Sequence, residues 1–273
     1  MFQNGRRRPF CFVLRYIEFS YHMSTPNAPP SGQVLPEVSL AARETLFFNP
    51  PNGSFSPLAE IDSEKYLGVI LDNKLTFNSH VDSITKKATN LLNLCRRNLY
   101  MCTPQIKEAA YNSLVRPHLD YASAAWNSHT SRNINKIEAV QRRAARFVLN
   151  NYNYSADAHL TTQIKSQLGW LPLQHRRALY DLSLFYKIRQ GLLNINFPTT
   201  VKPSVRDPDR YLHIKSIHSE AYLYHFFTRT VRLWNVLPES ILAAEGLDTF
   251  KAQTAQWIVP LSWTQITGLW TLV

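Results

Sequence analysis

The chain has 273 residues, 45% of them hydrophobic and 12% aromatic, and its 30 Lys and Arg against 19 Asp and Glu give a formal net charge of +11. That size and apolar content can bury one large core or two small ones, and so basic a folded chain calls for an anionic partner, nucleic acid before a membrane surface. With 8 Gly against 16 Pro the composition argues against Gly-rich phosphate loops and a large α/β nucleotide fold, and the three scattered cysteines, Cys11, Cys95 and Cys102, give neither a disulfide framework nor a metal pattern, so a reducing compartment is expected.

Met1 to Met23 opens with Arg6, Arg7 and Arg8 before an apolar run from Phe10. This has the look of a targeting peptide, but Arg15 and Glu18 interrupt the run and no small-residue cleavage site follows. Prolines then recur from Pro26 to Pro57 among Ser, Asn and Gly. Residues 1–60 are therefore read as a disordered or unrelated N-terminal segment. Ser63 to Asp72 is β-rich, Asp72-Asn73 is a turn signal, and Lys74 to Phe77 would form the return strand of a hairpin.

A run of helices follows. Ser79 with Asp82 three residues on predicts a capping box. Val81, Ile84, Ala88, Leu91, Leu92, Cys95 and Leu99 then make one apolar stripe to about Tyr100, with Lys86 and Arg97 opposite. Pro104 suits the first turn of the next helix, and Pro117 is expected to kink or stop it. The segment Arg132 to Asn150 is the strongest helix in the sequence. At 100° per residue Ile134, Ile137, Val140, Ala144, Phe147 and Val148 share one side, while Arg132, Lys136, Arg142, Arg143 and Arg146 share the other. Such a helix packs on a core and presents guanidiniums to phosphates, or carries a merely solvated basic face.

Ala156 to Leu168 reads as a shorter helix ended by Gly169, and Pro172 starts another that runs to Gly191. The apolar residues of that helix circle its axis, which predicts the buried centre of a helical array. After Asn194 prolines mark a loop, Tyr211 to Ile217 reads as a strand, Phe226 to Trp234 as a short helix, and Leu247 to Trp257 as a last amphipathic one. Ile258 to Val273 is an apolar tail, short for a membrane span. The expected fold is mainly α: a helical array with a small β-hairpin at its start. Its boundaries fall at residues 61–192 for the hairpin and helical domain, 193–258 for an α+β extension, and 259–273 for the tail.

Several stretches, in order, resemble one family. They are Tyr66-Leu-Gly-Val-Ile-Leu-Asp72, Leu75-Thr-Phe77 with His80, Arg97, Leu114-Val-Arg-Pro-His-Leu-Asp-Tyr-Ala122 with Trp126, and Ile137-Glu-Ala-Val-Gln-Arg-Arg-Ala-Ala-Arg-Phe147. Leu168-Gly-Trp170 before Gln174-His-Arg-Arg177, and Phe226 to Asn235 before Leu237-Pro238, continue the series. The family is the C-terminal portion of the reverse transcriptases of non-LTR retrotransposons, the jockey-like and related LINE elements, and the likeness runs from about Asp62 to Trp257. It implies that Tyr66, Leu67, Gly68 and Val69 lie near a primer grip. It implies that the following helices form a thumb, with Lys86, Arg97, Arg132, Lys136, Arg142, Arg143 and Arg146 toward a nucleic-acid backbone.

Polymerases of this kind place two divalent metals with paired carboxylates. The family's aromatic-x-Asp-Asp motif has no counterpart here, because the sequence contains no Asp-Asp dipeptide. Asp62, Glu64 and Asp72 read as turn and edge residues, and His213, His218 and His225 lack the spacing of metal ligands. No catalytic residue, metal or cofactor is expected, and polymerisation is not. Trp126, Trp170 and Trp234 read as core anchors. RNA or DNA on the basic faces is the expected partner, with a protein covering the hairpin edge as the alternative. The alternative function is a helical interaction module, or a remnant without selected activity.

Overall fold

The computed structural model describes residues 61–152, 167–213, 223–261 and 265, together with the backbone pairing of 47–48 and 56–57. It divides into two compact units, Met1–Asn73 and Lys74–Val273.

In the first unit, β1 (Phe47–Phe48) pairs antiparallel with β2 (Ser56–Pro57). A separate hairpin joins β3 (Ser63–Tyr66) to β4 (Val69–Asp72), with Ser63 opposite Asp72 and Tyr66 opposite Val69. The expected return strand at Lys74–Phe77 is thus wrong: the β-rich run folds back on itself. The cause is local. Leu67 at φ 46° and Gly68 at φ 89° both occupy positive φ, the requirement of a tight two-residue hairpin turn. Asn73 closes the open end, its N–H donating to the Asp62 carbonyl at 3.0 Å. Beyond it Leu75 and Phe77 also have positive φ, which a strand does not accommodate.

The second unit is mainly helical. Helix α1 spans Asn78–Asn98 and buries His80, Val81, Ala88, Leu92 and Cys95. The capping box does not form. Phe77 precedes the helix in a left-handed conformation with no side-chain cap, and Asp82 turns outward instead to Lys136. Helix α2 (Pro104–Ala110) passes through a π-helical turn, Tyr111–Val115, into α3 (Arg116–Asp120). Pro117 therefore neither stops nor simply kinks the rod. Its ring lacks an N–H and crowds the carbonyl four residues back. The wider turn, in which the Arg116 N–H reaches the Tyr111 carbonyl, absorbs both effects.

After α4 (Ser123–Trp126) comes α5 (Ser131–Val148), whose expected apolar side is buried throughout. Residues 153–166, which carry most of the helix expected at Ala156–Leu168, lie outside the described residues. Helix α6 (Leu173–Arg189) is the buried centre that its all-round apolar pattern predicts, and it packs on α3, α4, α5, α7 (Phe226–Asn235) and α9 (Leu247–Ile258). Phe185 of α6 holds the rings of Phe197, Tyr211 and Trp234 at 5.3, 5.2 and 4.9 Å. Trp126 and Trp234 are fully buried core anchors, whereas Trp170 is half-buried and stacks on Tyr111 at 4.5 Å.

The sequence reading of the second unit missed two elements. Val201–Pro203 (β5), expected as loop, pairs antiparallel with Tyr211–His213 (β6), and Glu239–Leu242 forms a short helix, α8. The proline of β5 sits at the end of the strand, where a missing N–H is tolerated. Residues 214–217 of the expected strand lie outside the described residues. Among the described residues no helix is long and apolar enough to cross a membrane.

Candidate nucleic-acid interface

The geometry of the basic surface follows from how α1 and α5 meet. Asn133 Nδ2 donates to Asn78 Oδ1 at 2.8 Å, Lys136 Nζ pairs with the Asp82 carboxylate, and Arg143 Nη2 donates to Thr89 Oγ1 at 3.1 Å. The partners are 55, 54 and 54 residues apart. A constant offset means that the helices run parallel, side by side and in step.

Each helix buries one arc and exposes the opposite one, with this polar seam between the two arcs. For parallel helices in this arrangement both exposed arcs face the same way. Lys86, Arg97, Arg132 and Arg143 are exposed, and Lys136, Arg142 and Arg146 are half-buried. On the 54-residue offset of the seam, Arg132 is level with Asn78, Arg142 and Arg143 with Ala88 and Thr89, and Arg146 with Leu92. Lys86 and Arg97 come from α1 itself. The seven cations span the axial distance from Asn78 to Arg97, roughly 28 Å at about 1.5 Å per residue.

Lys136 and Arg143 are held from within. Lys136 is taken by Asp82, and Arg143 Nε donates to the Ala139 carbonyl at 3.2 Å while its Nη2 reaches Thr89. These bonds fix the Arg143 side chain at the rim of the seam. Helix α1 also carries Arg96, whose guanidinium lies 5.7 Å over the Tyr152 ring at the far end of the pair.

Glu138, the lone acid of α5, does not dilute the cationic face. It is buried and accepts the Gln174 N–H at 3.3 Å, at the first turn of α6. Helix α6 has no side-chain cap of its own, so a carboxylate from a neighbouring helix satisfies one of its orphan donors and faces the positive end of its dipole.

A second polar cluster was not anticipated from the sequence. Arg229 of α7 pairs with Asp181 of α6, Nε to Oδ2 at 2.9 Å, with side chains 2% and 0% exposed. Arg229 also donates to the Ala124 carbonyl at 2.6 Å and the Tyr224 carbonyl at 2.8 Å. Asn127 bridges Asp181 and Arg177, its Nδ2 donating at 3.2 Å to the first while its Oδ1 accepts at 2.9 Å from the second. Burial pushes the Arg177 guanidinium below its ordinary value, against the opposing pull of Glu138, Asp120 and Asp181. The available signal was an Arg177-Asp181 pair, four residues apart, inside a helix apolar on every side. Lys107 is likewise fully buried, its Nζ donating to Asn150 Oδ1 at 2.6 Å and lying 5.2 Å from the Phe147 ring centre.

Tyr66 is half-buried, Leu67 and Gly68 form the exposed turn of the first unit's hairpin, and Val69 is buried. Cys95 is buried and its thiol is pushed up by burial, whereas Cys102 is half-buried rather than enclosed. His213 ends β6, His225 is half-buried beside Phe227, and His218 lies outside the described residues. Among the described residues no group of three or more His, Cys, Asp or Glu is placed to hold a metal ion.

In the chain a small hairpin precedes the helices. Comparison with known proteins finds similarity over about a third of the chain. The chain is 29% identical over 97 residues to a probable RNA-directed DNA polymerase from transposon X-element of Drosophila melanogaster, covering 34% of this chain and 10% of the polymerase. It is 33% identical over 88 residues to a probable RNA-directed DNA polymerase from transposon BS of the same fly, covering 31% and 10%. It is 32% identical over 100 residues to the RNA-directed DNA polymerase from mobile element jockey of Drosophila funebris, covering 35% and 10%. The chain is thus similar over about a third of its length to RNA-directed DNA polymerases of mobile elements, and the alignments span about a tenth of theirs. No family model and no solved structure matches.

Proposed function

We propose that the shared exposed side of α1 and α5 binds the backbone of RNA or DNA weakly and without sequence preference, in a chain that does not itself polymerise. The observation that carries this reading is the parallel α1–α5 seam. It brings Lys86 and Arg97 from one helix to the same side as Arg132, Arg142, Arg143 and Arg146 from the other. Lysines and arginines that neutralise phosphates release counterions, so such binding is strongest at low salt and indifferent to base sequence. The partial homology to RNA-directed DNA polymerases supports a nucleic acid as the anion. The non-catalytic part of the reading rests on the sequence, which lacks the Asp-Asp pair of the family's metal site.

Filter binding of a labelled RNA and a labelled DNA at low and moderate salt tests it. Retention at low salt that falls with salt, and is lost in Arg142→Glu with Arg143→Glu, is the expected result. No retention at low salt, or retention indifferent to that double substitution, overturns it.

A second reading is a helical protein-interaction module: Ile106 and Leu114 on the α2–α3 rod, with Tyr121 just past its end, are 49%, 50% and 51% exposed and would be covered by a partner. Sedimentation velocity of the wild type and of Ile106→Lys with Leu114→Lys separates the readings: self-association that the substitutions abolish supports this one.

A further inference from the structure

We propose that Asp82 is a built-in brake on the α1–α5 surface, holding Lys136 away from phosphate and setting a negative charge within the file of cations. The inference rests on the reading of that surface as a phosphate site and names what limits it. Apart from Asp82, the exposed side chains of the two helices are Ser, Asn, Lys and Arg, with one leucine, Leu94. Asp82 is therefore the one acid there, among the described residues. It pairs with Lys136, and the two side chains are 54% and 34% exposed, so the pair stands in solvent at the edge of the surface. It lies level with Lys136, between Arg132 toward one end and Lys86 one helical turn toward the other.

An ion pair in solvent is weak, and a packing role for Asp82 would call for burial, which it lacks. Its effect falls on the surface charge instead. It cancels Lys136, and it repels any phosphate passing between Arg132 and Lys86. The strand would then be gripped mainly over Lys86, Arg142, Arg143, Arg146 and Arg97, with Arg132 cut off from that group.

The test is fluorescence anisotropy of a fluorescein-labelled 20-nucleotide oligothymidine, titrated with the full chain over a salt series. Each phosphate contact contributes about 0.7 to the salt slope on a single strand, so Asp82→Asn is expected to tighten binding roughly three- to tenfold at low salt and to steepen the slope by about one contact. Asp82→Glu, which keeps the charge, should behave as the wild type. Lys136→Met added to Asp82→Asn should remove most of the gain, whereas a purely structural role for Asp82 would give no gain to remove. Wild-type binding with no change in affinity or slope for Asp82→Asn overturns the brake and leaves the phosphate surface standing. Absence of binding by both proteins at low salt overturns the surface and the brake together.

Discussion

The carboxylate of Asp181 and the guanidinium of Arg229 meet at 2.9 Å with neither side chain open to water. They tie α6 to α7, and through the Ala124 carbonyl and Asn127 they tie both to α4 and the loop after it. Removing one partner strands the other charge in the core. Arg229→Met or Asp181→Leu alone is expected to lower stability by about 3–5 kcal/mol, measured by urea denaturation. The double substitution should cost clearly less than the sum of the singles, because neither member of the pair is then left facing an apolar replacement.

Glu138 caps α6 from a neighbouring helix. Glu138→Ala removes the acceptor for the Gln174 N–H and a negative charge beside Arg177. The expected loss is about 1–3 kcal/mol by thermal or urea unfolding. Glu138→Gln keeps an oxygen for the N–H and should lose less.

Tyr111 is buried with a hydroxyl that has no hydrogen-bond partner among the described residues. Burial, aided by the negative charge of Asp120, holds its phenol well above the ordinary tyrosine range. A group raised in the folded state contributes stability that is whole below its unfolded value, about pH 10 for tyrosine, and is lost as pH climbs from there toward the folded one. Stability should accordingly fall on the alkaline side from about pH 10, and Tyr111→Phe should flatten that fall. At neutral pH the same substitution should be neutral or slightly stabilising, since it deletes an unsatisfied buried hydroxyl. Urea midpoints measured at neutral pH and above pH 10 check both statements.

On the basic surface single substitutions should grade by position. Arg143→Ala or Arg97→Ala is expected to weaken oligonucleotide binding about threefold near 0.1 M salt and to reduce the salt slope by roughly 0.7–0.9, the share of one phosphate. Lys87, exposed on the flank of α1 away from the seam, should change neither when replaced by Ala. Equal effects at Lys87 and Arg143 would mean that net charge alone, and not this surface, attracts the ligand.

Helix positions and faces were legible in the sequence wherever one residue's environment depends on its own turn of helix. The side of α5 that carries Ile137, Val140, Ala144 and Phe147 is buried because apolar side chains three and four apart share a face, whatever lies opposite. The all-round apolar pattern of α6 likewise announced its central place. Local signals failed where two turn chemistries competed. Asp72-Asn73 looked like the bend, but Leu67-Gly68 takes it, because a glycine that can adopt positive φ lies where the run can pair with itself.

What only the tertiary structure decided were relations between residues far apart in the chain. Helical periodicity gives the direction of Arg143 and of Lys86 from their own axes, but not the angle between those axes. The 54-residue offset that pairs Asp82 with Lys136 and Thr89 with Arg143 sets that angle, and with it the shared side of the cations. The same holds for Glu138, Lys107 and Asp181. Each reads as an ordinary charged residue on its own helix, and each is buried because a partner from another segment supplies the hydrogen bond or counterion that burial requires.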